Sequence, residues 1–423
     1  MNGIRLSLAL LFCALIVVAA PVWSLEVGAA HRVITPEKLM PLSGGIGTPI
    51  MAEGKKGDLF SRAMVFAQGD TRVAIVSIDC LGFPGVLADK VRAQVPSIPG
   101  ANVLIGATHT HSGPDLYAFP DGKGGHTGDL EYIEWVIGET AAAINEAVKN
   151  LAPAALKINV DEAAEKIAYN YYAPQLYDRR CGVIQAVEPD SGKVIATLVN
   201  YASHPEILGT GRKLMSPDFC GPLYDRIEEA TGGMAIYMNG AQGGMVTADC
   251  RGEDGKDVQT WEECIRIGTL LADEALRIIE DAPVQTDAAL YCAAERLTFP
   301  VSNVMLQQLI AASGIDYSSV TDGTSVSTQM NLVNIGTAQL VNIPGEALPN
   351  IGYYLKRKMP SAHPFLLGLT NDAFGYILTR EDFDSFDRYE YITRTSLGEE
   401  TGPVLVEFLL GMVSRHPAPA QPK

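Results

Sequence analysis

Five apolar runs in this 423-residue chain end in groups that can do chemistry. Residues 72–79 (RVAIVSID) close on Asp79. Residues 103–107 run into Thr108-His109-Thr110-His111. Residues 194–201 run into Ser203-His204-Pro205, residues 234–238 into Asn239 to Gly244, and residues 337–343 into Pro344-Gly345-Glu346. Runs of this length, without helical period and bounded by turn residues, read as buried strands. Residues 86–95, 129–150, 222–229, 260–279, 348–358 and 404–413 suit helices. Alternation of the two implies an α/β fold, a mixed β-sheet core flanked by helices. Ligands of open α/β sheets bind beyond the carboxyl ends of the strands. Five polar strand ends therefore predict one site assembled from distant parts of the chain. Asp79, Asn239, Gly243 and Thr247, at or just past these ends, are candidate substrate-binding residues.

The strand ending in His-x-His carries the sharpest chemical signal. Residues two apart in a strand share a face, so His109 and His111 are expected side by side. Both imidazoles can bind a metal, or one can bind it while the other moves a proton. The chain has seven histidines, and His109, His111 and His204 are the three at strand ends. Two histidines with the carboxylate of Glu346 form a common catalytic zinc set that leaves one coordination position open. Zn2+ is the expected cofactor.

Composition narrows the partners. The formal net charge of -17 argues against nucleic acid, whose phosphates require a basic face. Residues 6–20 form an apolar run behind Arg5, with Ser7 its one polar residue, and residues 1–24 are expected to be a cleavable signal peptide. The mature protein is then secreted or periplasmic. That run is short for a membrane span and nothing comparable follows, so no stable span is expected after cleavage. Cys80, Cys181, Cys220, Cys250, Cys264 and Cys292 have no CxxC spacing. An exported chain can pair some of them, with Cys250 and Cys264 the first pair to test and six free thiols the alternative. Residues 25–413 read as one domain with no internal repeat, residues 300–330 as irregular, and residues 414–423 as a disordered tail.

ATHTHSGP, NYASHP, the Asn-Gly-rich loop after MAIYMNG, IPGE, and GLTNDAFGYILTREDF with DRYE together resemble the neutral/alkaline, non-lysosomal ceramidase family. The motifs follow the family's order and cover nearly all of the chain beyond residue 25. The likeness is to the family's catalytic domain, and its C-terminal immunoglobulin-like domain has no counterpart here. The resemblance implies that His109, His204, Glu346 and Tyr376 are zinc ligands. It also implies that His111 faces the substrate and that Tyr389 lies beside the reacting carbonyl, where a hydroxyl can hydrogen-bond a developing oxyanion. The implied substrate is an N-acyl sphingoid or related N-acyl compound.

Two departures qualify that expectation. The family's proposed nucleophilic serine falls on Val246, with Thr247 one residue on. The family's arginine falls on Tyr171, while Arg179 and Arg180 are out of register. The metal set without the serine favours water activated by the metal over a covalent acyl-enzyme. An ester, a lactone or a small polar amide is the alternative substrate, and a catalytically silent metal-binding homologue the alternative class. The loop at residues 115–128 (DLYAFPDGKGGHTG) is mainly Gly and polar. It predicts a compact site and a substrate smaller or more polar than ceramide.

Overall fold

The computed structural model describes residues 25–45, 47, 49–164 and 166–422; the expected signal peptide lies outside them. The chain builds the same unit three times. In the first, β1 (Glu26–Val33) pairs antiparallel with β2 (Phe60–Gln68), and β2 with β3 (Thr71–Ile78). Helix α1 (Gly85–Arg92) then crosses over to β4 (Val103–Ala107), which lies parallel to β3, and α2 (Leu130–Lys149) follows. The second unit repeats this order with β5 (Ala155–Glu162), β6 (Arg180–Val187) and β7 (Val194–Tyr201). Helix α3 (Cys220–Thr231), β8 (Met234–Asn239) parallel to β7, and α4 (Trp261–Glu280) complete it. The third unit has β9 (Leu290–Pro300), an inserted helix α5 (Val304–Ala311), β10 (Ser325–Ile335) and β11 (Ala338–Asn342). It continues through α6 (Pro349–Lys358), β12 (His363–Leu367) parallel to β11, and α7 (Thr401–Arg415).

Local chemistry sets these boundaries. The Asp129 side chain accepts from the backbone N–H groups of Glu131 and Tyr132 and caps α2. Thr260 accepts from the N–H of Glu263 at the start of α4, half of a capping box. Pro349 opens α6, where its missing N–H costs nothing.

Packing follows the same threefold plan. One core gathers the inner faces of all three sheets, among them Val27, Phe66, Ile75, Leu104, Ile184, Leu198, Met238, Val333, Leu340 and Phe365. Each outer sheet face then packs against its own helices in a separate core. An internal repeat is therefore present, contrary to the sequence reading. The unit requires only apolar strands and one-sided helices, which many residue combinations supply, and its loops differ in length from copy to copy.

Three further details correct the sequence. Within residues 300–330 the chain forms α5 and begins β10. The tail is tied to the third sheet: Asn334 Nδ2 donates to the Pro417 carbonyl at 2.7 Å, and the Ala420 N–H to the Gly336 carbonyl at 3.2 Å. The six described cysteines, Cys250 and Cys264 included, are free thiols. Burial pushes the Cys264 thiol up, and Asp218 beside it adds to that. Among the described residues no helix is long and apolar enough to cross a membrane.

Candidate metal centre

Asp79, His109, His111, His204, Asn239 and Glu346 lie at or within four residues of the carboxyl end of the third or fourth strand of a unit, and Tyr376 and Tyr389 lie further along the chain after the last strand of the third. Backbone bonds between the units bring these ends together. The N–H of Gly368 donates to the Asn239 carbonyl, that of His111 to Pro205 at 3.0 Å, and that of Asn371 to Ile105 at 2.7 Å. Gly106 and Thr370 also form an antiparallel bridge.

His109 is the second residue past β4 and adopts φ 70. This left-handed conformation costs a non-glycine residue roughly 1–2 kcal/mol. It reverses the chain, so His109 and His111 meet through a turn and not through a strand pleat. Their ring centroids are 4.8 Å apart. His204 completes the triangle, 4.8 Å from His109 and 5.6 Å from His111.

Backbone carbonyls fix two of these rings. His109 Nδ1 meets the Leu81 carbonyl, and His204 Nδ1 meets the Val246 carbonyl at 2.7 Å. Each ring so held donates its Nδ1 proton to backbone and presents Nε2 as a bare donor. Both Nε2 atoms converge on Glu346 Oε2, at 3.5 Å from His109 and 2.9 Å from His204. Ligands on one tetrahedral ion at ~2.0–2.1 Å lie about 3.3 Å apart, and these separations bracket that value. The His111 Nε2 atom is buried and has no hydrogen-bond partner. The donor atoms of the three histidines lie within 4.8 Å of one another. Two aligned imidazoles and a carboxylate that converge on one point could hold a metal ion, and the His111 nitrogen beside them is buried without a protein partner.

Electrostatics agree. Burial works to raise the Glu346 carboxyl, but His109 and His204 overcome it and hold the group well below the usual carboxylate range. Burial, with His109 and His204 adding, pushes His111 well below the usual imidazole value. Burial works against protonation of His204, yet its bond to Glu346 raises it. The ionised Glu346 carboxylate and the neutral His111 ring are the protonation states in which such groups meet a cation.

The remaining candidates divide. Tyr376 sits beside Glu346 in a short parallel pairing and lines the cavity. Gly243 does not line the cavity: a Cβ there would meet the Glu346 carbonyl oxygen at 2.2 Å, so it allows the close approach of the chain that carries Glu346. Asp79 is buried beneath the site, accepting from the Phe60 N–H at 2.9 Å and the Tyr224 hydroxyl at 3.2 Å. Asn239 is also buried, its amide donating to the Thr108 carbonyl and accepting from the Tyr237 hydroxyl. Thr247 bridges His204 through backbone. None of these three reaches the cavity wall. Tyr389 stacks edge-on against Tyr172 and Phe386, with centroids 5.2 and 5.3 Å away. Its neighbour Tyr391 takes the cavity position instead, 5.9 Å from Tyr376. Val246, in the serine position, is fully buried, and Tyr171, in the arginine position, is 65% exposed.

Sequence reasoning missed three contributors. Glu206, two residues past His204, places Oε2 3.4 Å from His111 Nδ1. Tyr391 is one. The third is the wall of a cavity of about 640 Å³ that His109, His111, Glu346 and Tyr376 also line. Leu306, Leu309 and Ile310 of α5, with Val326 and Leu397, make much of that wall apolar. Phe119 and Pro120 add to it from the loop at residues 115–128, which Asp115 staples through Ala118 and Thr127. Apolar helical periodicity in residues 304–311 was the available signal.

No protein-family model and no curated protein sequence matches the chain. Solved structures do. A neutral ceramidase from Pseudomonas aeruginosa aligns with TM-score 0.76 and 16% identity, over 95% of this chain and 76% of that one. A ceramidase complexed with C2 aligns with TM-score 0.76 and 17% identity, over 95% and 77%. The chain has the neutral ceramidase fold.

Proposed function

We propose that the protein is an exported, zinc-dependent hydrolase that cleaves the amide of an N-acyl compound, an N-acyl sphingoid or a relative of one. The carrying observation is the meeting of His109, His204 and Glu346, beside the orphaned His111 nitrogen, at a largely apolar cavity that His109, His111 and Glu346 line. His109, His204, Glu346 and Tyr376 would hold the ion. Zinc, when bound, polarises a carbonyl and lowers the pKa of water towards ~7. Glu206 beside Nδ1 favours the His111 tautomer whose bare Nε2 accepts a proton. The Tyr391 hydroxyl would take the role expected of Tyr389, hydrogen-bonding the developing oxyanion. Val246 has no hydroxyl, which supports direct hydrolysis without an acyl-enzyme.

The cavity revises the expectation of a small polar substrate. Its volume of about 640 Å³ falls within the roughly 300–1,000 Å³ of small-molecule sites. The apolar residues that α5 supplies to the lining suit an acyl chain. The test has two parts. Elemental analysis of the purified protein should find about one zinc per chain, lost in His109→Ala. Hydrolysis of a fluorescent ceramide should then be compared with that of short N-acyl amides, esters and lactones. Absence of any transition metal, together with His109→Ala behaving as wild type, overturns the reading. Metal without turnover on any of these substrates would identify a silent metal-binding homologue.

A further inference from the structure

We propose that Met245 is a positioning residue for Tyr376: its thioether accepts the phenol's hydrogen bond and keeps the phenol oxygen facing the Glu346 end of the cavity. Tyr376 Oη lies 2.9 Å from Met245 Sδ. A thioether is a weak acceptor, strong enough to direct a hydroxyl without drawing the ring away. With its proton on sulfur, the phenol keeps its oxygen lone pairs for whatever Glu346, His109 and His204 hold. The inference rests on the metal-site reading above.

The backbone supports a role beyond filling space. Met245 has φ 59 and follows Gly244 at φ 69, so two successive residues are left-handed. Glycine adopts this conformation freely and methionine does not. Glycine at 245 would relieve the strain, yet a long side chain stands there. A strained residue beside a site is a reason to look for function. The loop is also anchored on both sides. The Met245 carbonyl accepts from the Tyr171 N–H at 3.0 Å, and the next carbonyl, of Val246, accepts from both the His204 N–H and its Nδ1. One short loop thus orients His204 through backbone and Tyr376 through sulfur.

The test uses the full chain loaded with Co2+, whose visible spectrum reports its ligands. Tyr376→Phe should shift that spectrum. Met245→Leu, close in volume but without sulfur, should reproduce at least half of the shift and lower kcat about tenfold with KM unchanged. Its melting temperature should stay within about 2 °C. Met245→Gln, which restores an acceptor, should keep the wild-type spectrum. Met245→Leu added to Tyr376→Phe should change nothing further, because coupled residues are non-additive. A wild-type spectrum in Met245→Leu alongside a shifted Tyr376→Phe overturns the inference alone, as does full additivity. An unshifted Tyr376→Phe removes Tyr376 from the ligand set and fails both this inference and that part of the site reading. Met245→Ala gives the same readout if the leucine variant does not fold.

Discussion

Asp79 and His204 follow the third strand of the first and second units, yet they meet different neighbours. Asp79 is one residue past Ile78, the end of its strand; it remains in the pleat and is held by Phe60 and Tyr224 beneath the site. His204 is three residues past Tyr201 and has left the sheet, so its ring reaches Glu346. The same division runs through the whole site. Asn239, the last residue of its strand, is a buried support. His109 and Glu346, two and four residues beyond theirs, are the groups that converge. At these strands a residue at the strand end braces the site, and His109, His204 and Glu346, two to four residues beyond, converge on one another.

The strongest challenge to this division is a paired substitution. His204→Ala should abolish metal retention and lower turnover by at least ~10²-fold, beyond the 10–100-fold typical of residues behind the ligands. Asp79→Asn should keep a full metal complement by elemental analysis. Equal loss of metal in both would erase the distinction. A smaller effect is expected at the wall. Leu309→Ala should leave metal content intact and lower kcat/KM for a long N-acyl substrate about tenfold, in line with the ~1.5–3 kcal/mol of a buried leucine. Rates on an N-acetyl analogue should hold. If both substrates respond alike, α5 is not the acyl wall.

A subtler outcome concerns pH. Burial raises the Asp79 carboxyl from 3.8 to about 6, against the Phe60 N–H and Arg62, which lower it. The folded protein therefore holds an extra proton between these values. The contribution of Asp79 to stability is greatest below pH ~4, falls as pH rises to ~6, and stays low above that. Asp79→Asn should flatten this part of the melting-temperature profile; an unchanged slope between pH 4 and 7 would assign the charge elsewhere. The smallest expected signal is none at all. Intact mass measured during turnover should show no acyl adduct on Thr247, and a stable adduct there would reinstate covalent catalysis.

Much of this was legible in the residues. His109, His204 and Glu346 stand out because buried strands of Val, Ile and Ala run without interruption into them. The α/β class follows from the same alternation. The direction of Asp79 was not legible, because a carboxylate at a strand end looks alike whether it turns inward or outward. Tyr391 could not be told from Tyr389, since a single turn exchanges which ring faces the cavity. Helix α5 was hidden by its polar, Ser-rich surroundings. The threefold repeat was hidden because the units share backbone order while their inserted loops differ.

That repeat has a consequence for how the protein matures. On the proposed reading no unit holds a complete ligand set: the first would supply His109, the second His204, the third Glu346 and Tyr376. An ion bound there could be captured only after parts of the chain more than two hundred residues apart have docked, and such distant pairings form slowly. Metal uptake is then a record of completed assembly. A chain stalled after two units would resemble the finished protein in secondary structure and still be unable to load.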